Sequence, residues 1–110
     1  MPIVTILAEP HPDAATLVHD VAGAVAHALG LGDGDVIATF VPAGVSAASG
    51  SAGAAAGWPV VSIHGGDRGQ AKMDAARAAA ESAVRSWLGT TALEHGGVWT
   101  EWLTPMPEAR

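Results

Sequence analysis

The chain repeats itself: Met1-Pro2-Ile3-Val4-Thr5-Ile6 and Trp58-Pro59-Val60-Val61-Ser62-Ile63 match position for position in chemical type. Each copy sets a proline ahead of β-branched residues, which is strand-forming sequence with its missing N–H at the start, where a sheet tolerates it. An internal repeat constrains the fold more than any single motif, because whatever the first half forms, the second is expected to form again.

The segments after the two copies also match. In the first half the strand Ile3 to Leu7 stops at Glu9-Pro10-His11-Pro12, since closely spaced prolines force extended or turn geometry. Asp13 stands where a helix start favours an acidic side chain. From there Leu17, Val21, Val25 and Leu29 recur every fourth residue, which predicts one apolar face of a helix ending at Gly30 or Gly32. Gly32-Asp33-Gly34-Asp35 then turns the chain into Val36 to Val41, a strand apolar on both faces and therefore expected inside the sheet.

The second half runs strand Val60 to His64, a glycine turn at Gly65-Gly66, a helix, and a last strand Val98 to Leu103. Asp67 and Gln70 have capping-box spacing, and Met73, Ala76, Ala80, Val84, Trp87 and Leu88 form the apolar face. Arg77, Glu81 and Arg85 suggest an ion-pair ladder on the solvated side. Both helices are expected to close on Leu-Gly, at Gly30 and Gly89.

Residues 43–57, nearly all Ala, Gly and Ser, read as a flexible connection. The expected architecture is one α+β domain over 1–110: a first β-α-β unit in 1–42, the linker, a second unit in 58–103 and a tail in 104–110. Both helices should cover one face of a four-stranded mixed sheet. The other face stays apolar, so other subunits are expected to close it.

With 110 residues and 49% apolar content, one core is affordable and disorder is excluded. No cysteine occurs, which excludes disulfides, thiolate metal sites and a cysteine nucleophile. The five histidines lack metal-ligand spacing, so no metal is predicted. A formal charge of −6 argues against nucleic acid or an anionic membrane surface as partner. There is neither a signal-like leader nor a membrane-length apolar run, and the cytoplasm is the expected location. The fixed cations are Arg68, Lys72, Arg77, Arg85 and Arg110, so few residues are available to hold an anionic substrate.

Pro2 carries the candidate chemistry. Initiator methionine is usually removed before so small a residue, and removal turns the Pro2 nitrogen from an amide into a secondary amine. Ordinary α-amino groups titrate at roughly 7.7 to 8, and burial lowers that further by disfavouring the charged form. A neutral amine on a rigid strand is a candidate general base. The competing explanation is a permissive second residue at a strand start, and the repeated Pro59 strand favours the functional one.

Met1-Pro2 on a first strand, the repeated Pro59 strand and cations near the start of the second helix together resemble the tautomerase superfamily in its double-length form. The resemblance covers nearly the whole chain in element order. It implies a homotrimer of β-α-β-β-α-β subunits, catalysis by Pro2 without a cofactor, and Pro59 as its inert structural counterpart. In the dehalogenase branch the stretch after the third strand carries arginines that hold the substrate carboxylate. Here it reads Ile63-His64-Gly65-Gly66-Asp67-Arg68-Gly69-Gln70-Ala71-Lys72, and Arg68 is the best match, with Lys72 one turn later. A guanidinium and the open N–H groups of a helix start both suit a carboxylate. Against this, both residues are open to an ordinary solvated role.

His64, at the end of the third strand, either reaches the pocket mouth or is a strand-end histidine with a backbone partner. Trp102, with Trp99, either walls the pocket or packs in the core or between subunits. The chain also departs from its relatives. Where small tautomerases have an arginine before the first helix, it has Glu9-Pro10-His11-Pro12, with His11 expected as a turn residue. It has no tyrosine; Glu101 and Trp102 fall near that residue's place, and Glu108 lies in the tail. The leading expectation is a keto-enol tautomerase acting on a small enol or α-keto carboxylate. The alternatives are a hydratase or hydrolytic dehalogenase on the same fold, or a non-catalytic module, either a degenerate tautomerase or ferredoxin-like.

Overall fold

The computed structural model describes residues 1–47, 49–50, 58–88 and 97–105. The elements are β1 (Ile3–Ala8), α1 (Ala14–Leu29), β2 (Ile37–Pro42), β3 (Val60–His64), α2 (Gln70–Leu88) and β4 (Trp99–Leu103). The sheet runs β2-β1-β3-β4. β1 is parallel to β2, β3 is parallel to β4, and the two halves meet where β1 runs antiparallel to β3. Each β-α-β unit thus keeps its two strands side by side. A ferredoxin-like sheet splits them, so the strand order sets that alternative aside.

The sequence repeat is a repeat in register. Ile3 stands beside Ile37 as Val60 stands beside Trp99. The Pro2 carbonyl accepts from the Ile37 N–H at 3.3 Å, and the Pro59 carbonyl accepts from the Trp99 N–H at 2.8 Å. Neither proline has an N–H to lose at the strand start, which is why both are accommodated there.

α1 buries Leu17, Val21, Val25 and Leu29, the four positions set by the helical period. It stops at Gly30, whose φ of 69° suits a residue without a Cβ, and the Leu31 N–H returns to the Ala26 carbonyl at 2.8 Å. At its start the Asp13 side chain makes no cap bond. The Asp13 N–H instead donates to His11 Nδ1 at 3.1 Å, while the His11 ring lies 3.8 Å from that of Trp87. His11 is a turn residue, as its setting between prolines predicts.

In α2 the buried residues are Ala76, Ala80 and Val84, with Trp87 and Leu88 packed against the core from the rim. The capping box does not form. Gly69 opens the helix by accepting from the Met73 N–H at 3.1 Å, the Asp67 carboxylate takes the Gly69 N–H at 2.8 Å, and Gln70 reaches forward to Asp74. The ladder also resolves into two separate pairs, Arg77 with Asp74 at 3.2 Å and Arg85 with Glu81 at 3.1 Å. Gly89 lies outside the described residues, as do most of the linker and the tail from residue 106.

β2 is an edge strand rather than an internal one. Its apolar character on both faces has another cause: Ala38 and Phe40 pack on the core, while Ile37, Thr39 and Val41 belong to the uncovered face. That face carries three rows across the sheet. Ile37, Ile3, His64 and Leu103 form one, Thr39, Thr5, Ser62 and Glu101 the next, and Val41, Leu7, Val60 and Trp99 the third. Ile3, Leu7, Ile37, Val41, Trp99 and Leu103 are 39% to 58% exposed. Among the described residues no helix is long and apolar enough to cross a membrane.

Candidate active site

Strand alternation puts Pro2 on the same side of β1 as Val4, Ile6 and Ala8, the side packed under the helices. It is less than 2% exposed, whereas Met1 is exposed. The pairing of Ile3 with His64 brings the Gly65 end of β3 alongside Pro2. The Gly65 N–H donates to the Leu103 carbonyl at 3.1 Å, tying this end of β3 to β4. A Cβ on Gly65 would lie 2.9 Å from Trp102 Cζ2 and 3.7 Å from Pro2 Cα. The ends of β1, β3 and β4 therefore converge, and the missing side chain at position 65 is what lets the indole in.

Trp102 pairs with Ile63 and lies on the helix side of β4, packed against the core. Its indole Nε1 is buried and has no acceptor among the described residues. Arg68 follows Gly65 by three residues in the loop leading to α2. It is half-buried, its Nε is also buried without an acceptor, and it forms no ion pair among the described residues. A guanidinium left uncommitted in this way is available to a carboxylate. Lys72 is exposed in the first turn of α2 and likewise forms no ion pair among the described residues.

His64 goes the other way. Alternation turns it onto the uncovered face, in the row with Ile3 and Leu103, so the structure does not bring it to the side of the sheet that holds Pro2. Trp99 faces that same open side. Glu101 does as well, and accepts a hydrogen bond from Ser62 Oγ at 2.8 Å. Glu108 lies outside the described residues.

Gly65 is the residue that sequence reasoning misses, because a glycine after a strand reads as a mere turn former. A signal for it exists: in the register repeat Gly65 corresponds to Ala8 and Trp102 to Phe40, so the Pro2 end exchanges a methyl group for a larger ring. A separate cleft of about 380 Å³ lies between α1 and the turn before β2, lined by His19, Ala22, Gly23, Ala26, Asp33 and Val36 among others. Pro2, Arg68 and Trp102 do not line it, and it offers no fixed cation. Among the described residues no three His, Asp or Glu side chains gather as a metal site would need.

A sheet ordered β2-β1-β3-β4, made of two β-α-β units, is a fold that this chain shares with several solved structures. The sequence matches no family model and no curated protein. Among solved structures it is similar to a 5-carboxymethyl-2-hydroxymuconate delta-isomerase, at TM-score 0.73 and 17% identity over 100% of this chain and 87% of that one. It is also similar to a macrophage migration inhibitory factor-like protein from Entamoeba histolytica, at TM-score 0.65 and 12% identity over 96% and 86%. A fused 4-OT solved as a symmetric trimer aligns at TM-score 0.67 and 18% identity over 94% and 84%.

Proposed function

We propose that this chain is a cofactor-independent keto-enol tautomerase of a small enol or α-keto carboxylate, with Pro2 as general base once Met1 is removed. The observation that carries this reading is the burial of Pro2, less than 2% exposed at the head of the central strand β1 and against Gly65 and Trp102. A secondary amine in that setting is held neutral by desolvation and is free to take a proton. Arg68, with an unpaired buried Nε, binds the substrate carboxylate; Lys72 adds long-range attraction from the first turn of α2. Trp102 walls the pocket. His64 contributes to substrate only across a subunit boundary, since it faces the uncovered side of the sheet. The working form is a homotrimer, supported by the uncovered apolar sheet face and by the trimeric assembly of a protein with the same fold.

The placement of Glu101 removes one candidate for hydration or hydrolytic dehalogenation. A water-adding enzyme needs a carboxylate beside the base, and among the described residues Glu101 is instead turned to the uncovered face and hydrogen-bonded by Ser62.

The test is to label proline with nitrogen-15, confirm loss of Met1 by mass spectrometry and follow the Pro2 nitrogen by NMR across pH. The expected result is a titration below the roughly 7.7–8 range of ordinary α-amino groups. Because the base must be neutral, tautomerase activity is then present above that midpoint and lost as pH falls through it. Retained Met1, or titration as an exposed secondary amine well above neutrality, overturns the assignment.

A further inference from the structure

The space beside Pro2 on the helix side of the sheet is governed by position 65. An ordinary residue there would put its Cβ 3.7 Å from Pro2 Cα. Gly65 leaves that point empty, and the Trp102 indole comes in beside it, with Cζ2 at 2.9 Å and Cη2 at 3.4 Å. Both atoms belong to the benzo edge, the wholly apolar side of the ring. At the opposite end of the sheet the matching residues are Ala8 and Phe40, a methyl group and a smaller ring. The larger ring and the residue without a side chain therefore occur together, and they do so at the end that holds Pro2. Trp102 is also held in place, because it pairs with Ile63 and packs against the core. In a close-packed interior a ring of that size has little room to turn aside.

We propose that Trp102 is the specificity-determining residue of the Pro2 site: its benzo edge stops any group that extends from Pro2 across Gly65. The substrates are then α-keto acids with a short alkyl chain beyond the keto carbon, and arylpyruvates are excluded. This deepens the tautomerase reading and rests on it. Arg68 recognises a carboxylate, which every such acid carries, so the guanidinium does not tell one α-keto acid from another. Discrimination falls to shape. A single methylene in an apolar pocket is worth about 10- to 200-fold in kcat/KM, and a phenyl ring meeting a fixed wall loses more. Removing the indole would leave an apolar slot over Gly65, with the dimensions and polarity that an aryl group needs.

The experiment follows exchange at C3 in deuterium oxide by proton NMR, using the full-length protein lacking Met1. The Pro2 amine takes a proton from C3, the electron pair of the C–H bond moves through to the carbonyl oxygen, and the ammonium, after exchange with solvent, returns a deuteron to carbon. 2-Oxobutanoate and phenylpyruvate are the two probes, with the buffer rate subtracted from each. The parent is expected to exchange 2-oxobutanoate and to leave phenylpyruvate at the buffer rate. Trp102→Ala is expected to raise the ratio of kcat/KM for phenylpyruvate to that for 2-oxobutanoate by about 10- to 100-fold. Trp102→Phe, which copies the ring found at Phe40, should move the ratio the same way by less. Damage to the fold lowers both rates together and leaves their ratio where it was, so the ratio reports the wall alone.

A parent that exchanges phenylpyruvate as fast as 2-oxobutanoate, or variants whose ratio equals the parent's, shows the size limit to be wrong while the tautomerase reading stands. A parent that exchanges neither acid removes the tautomerase reading and this inference with it. If Trp102→Ala does not fold, the parent and Trp102→Phe decide between these outcomes.

Discussion

A methyl group at position 65 would sit 2.9 Å from an indole carbon, inside the distance that real contacts reach, and the neighbour it meets is a rigid ring. Gly65→Ala is therefore expected to displace Trp102 and to destabilise the fold by about 1–3 kcal/mol, the range for overpacking. Urea unfolding and tryptophan emission would both report it. Gly97 makes a useful contrast. A Cβ there would lie 2.7 Å from Arg85 Nη2, the end of a flexible side chain that can swing aside. What cannot move is the backbone, with φ at 120°. Strain of that kind costs about 1–3 kcal/mol, whereas an exposed i,i+4 pair such as Arg85 with Glu81 is worth about 0.3–0.5 kcal/mol. Gly97→Ala should accordingly destabilise more than Glu81→Gln, a ranking that one set of denaturation curves decides.

At the scale of elements, α1 is legible because its apolar spacing reports directly which side is buried. Leu17 is fully enclosed, and Leu17→Ala is expected to cost about 2–5 kcal/mol. Elements that the sequence misrepresents share a physical cause: the pattern records one property and the inference needs another. Apolarity on both faces of β2 says what lies above and below a strand and nothing about what lies beside it. The spacing of Asp67 and Gln70 allows a capping box, but Gly69 takes the N-cap place and leaves both side chains to other partners. In the candidate site, the places of Pro2 at a strand head and of Arg68 in the loop before α2 can be read along the chain. The contact between Gly65 and Trp102 cannot, because it depends on the register between β3 and β4, and the turn of His64 away from Pro2 depends on strand alternation at one residue.

For the whole molecule, the decisive surface is the uncovered face of the sheet. Its two outer rows are apolar apart from His64, and its middle row is polar, with Glu101 held by Ser62. Leu7 sits in one outer row and is 41% exposed in the isolated subunit, so a lysine there costs the subunit fold little. Leu7→Lys is expected to convert an assembled parent into monomer in analytical ultracentrifugation, with the far-ultraviolet circular dichroism unchanged. A stable monomer for the parent at micromolar concentration would instead remove the assembly from the reading.

The striping of that face also bears on the life of a newly made chain. In the assembly proposed above, a copy that has not yet met its own kind leaves these apolar bands open to the quality-control machinery of the cell. The waiting time before encounter shortens as the protein becomes more abundant, so cellular half-life should rise with expression level. Scarcity, on this account, is self-reinforcing: a cell that makes little of the protein also keeps little of what it makes.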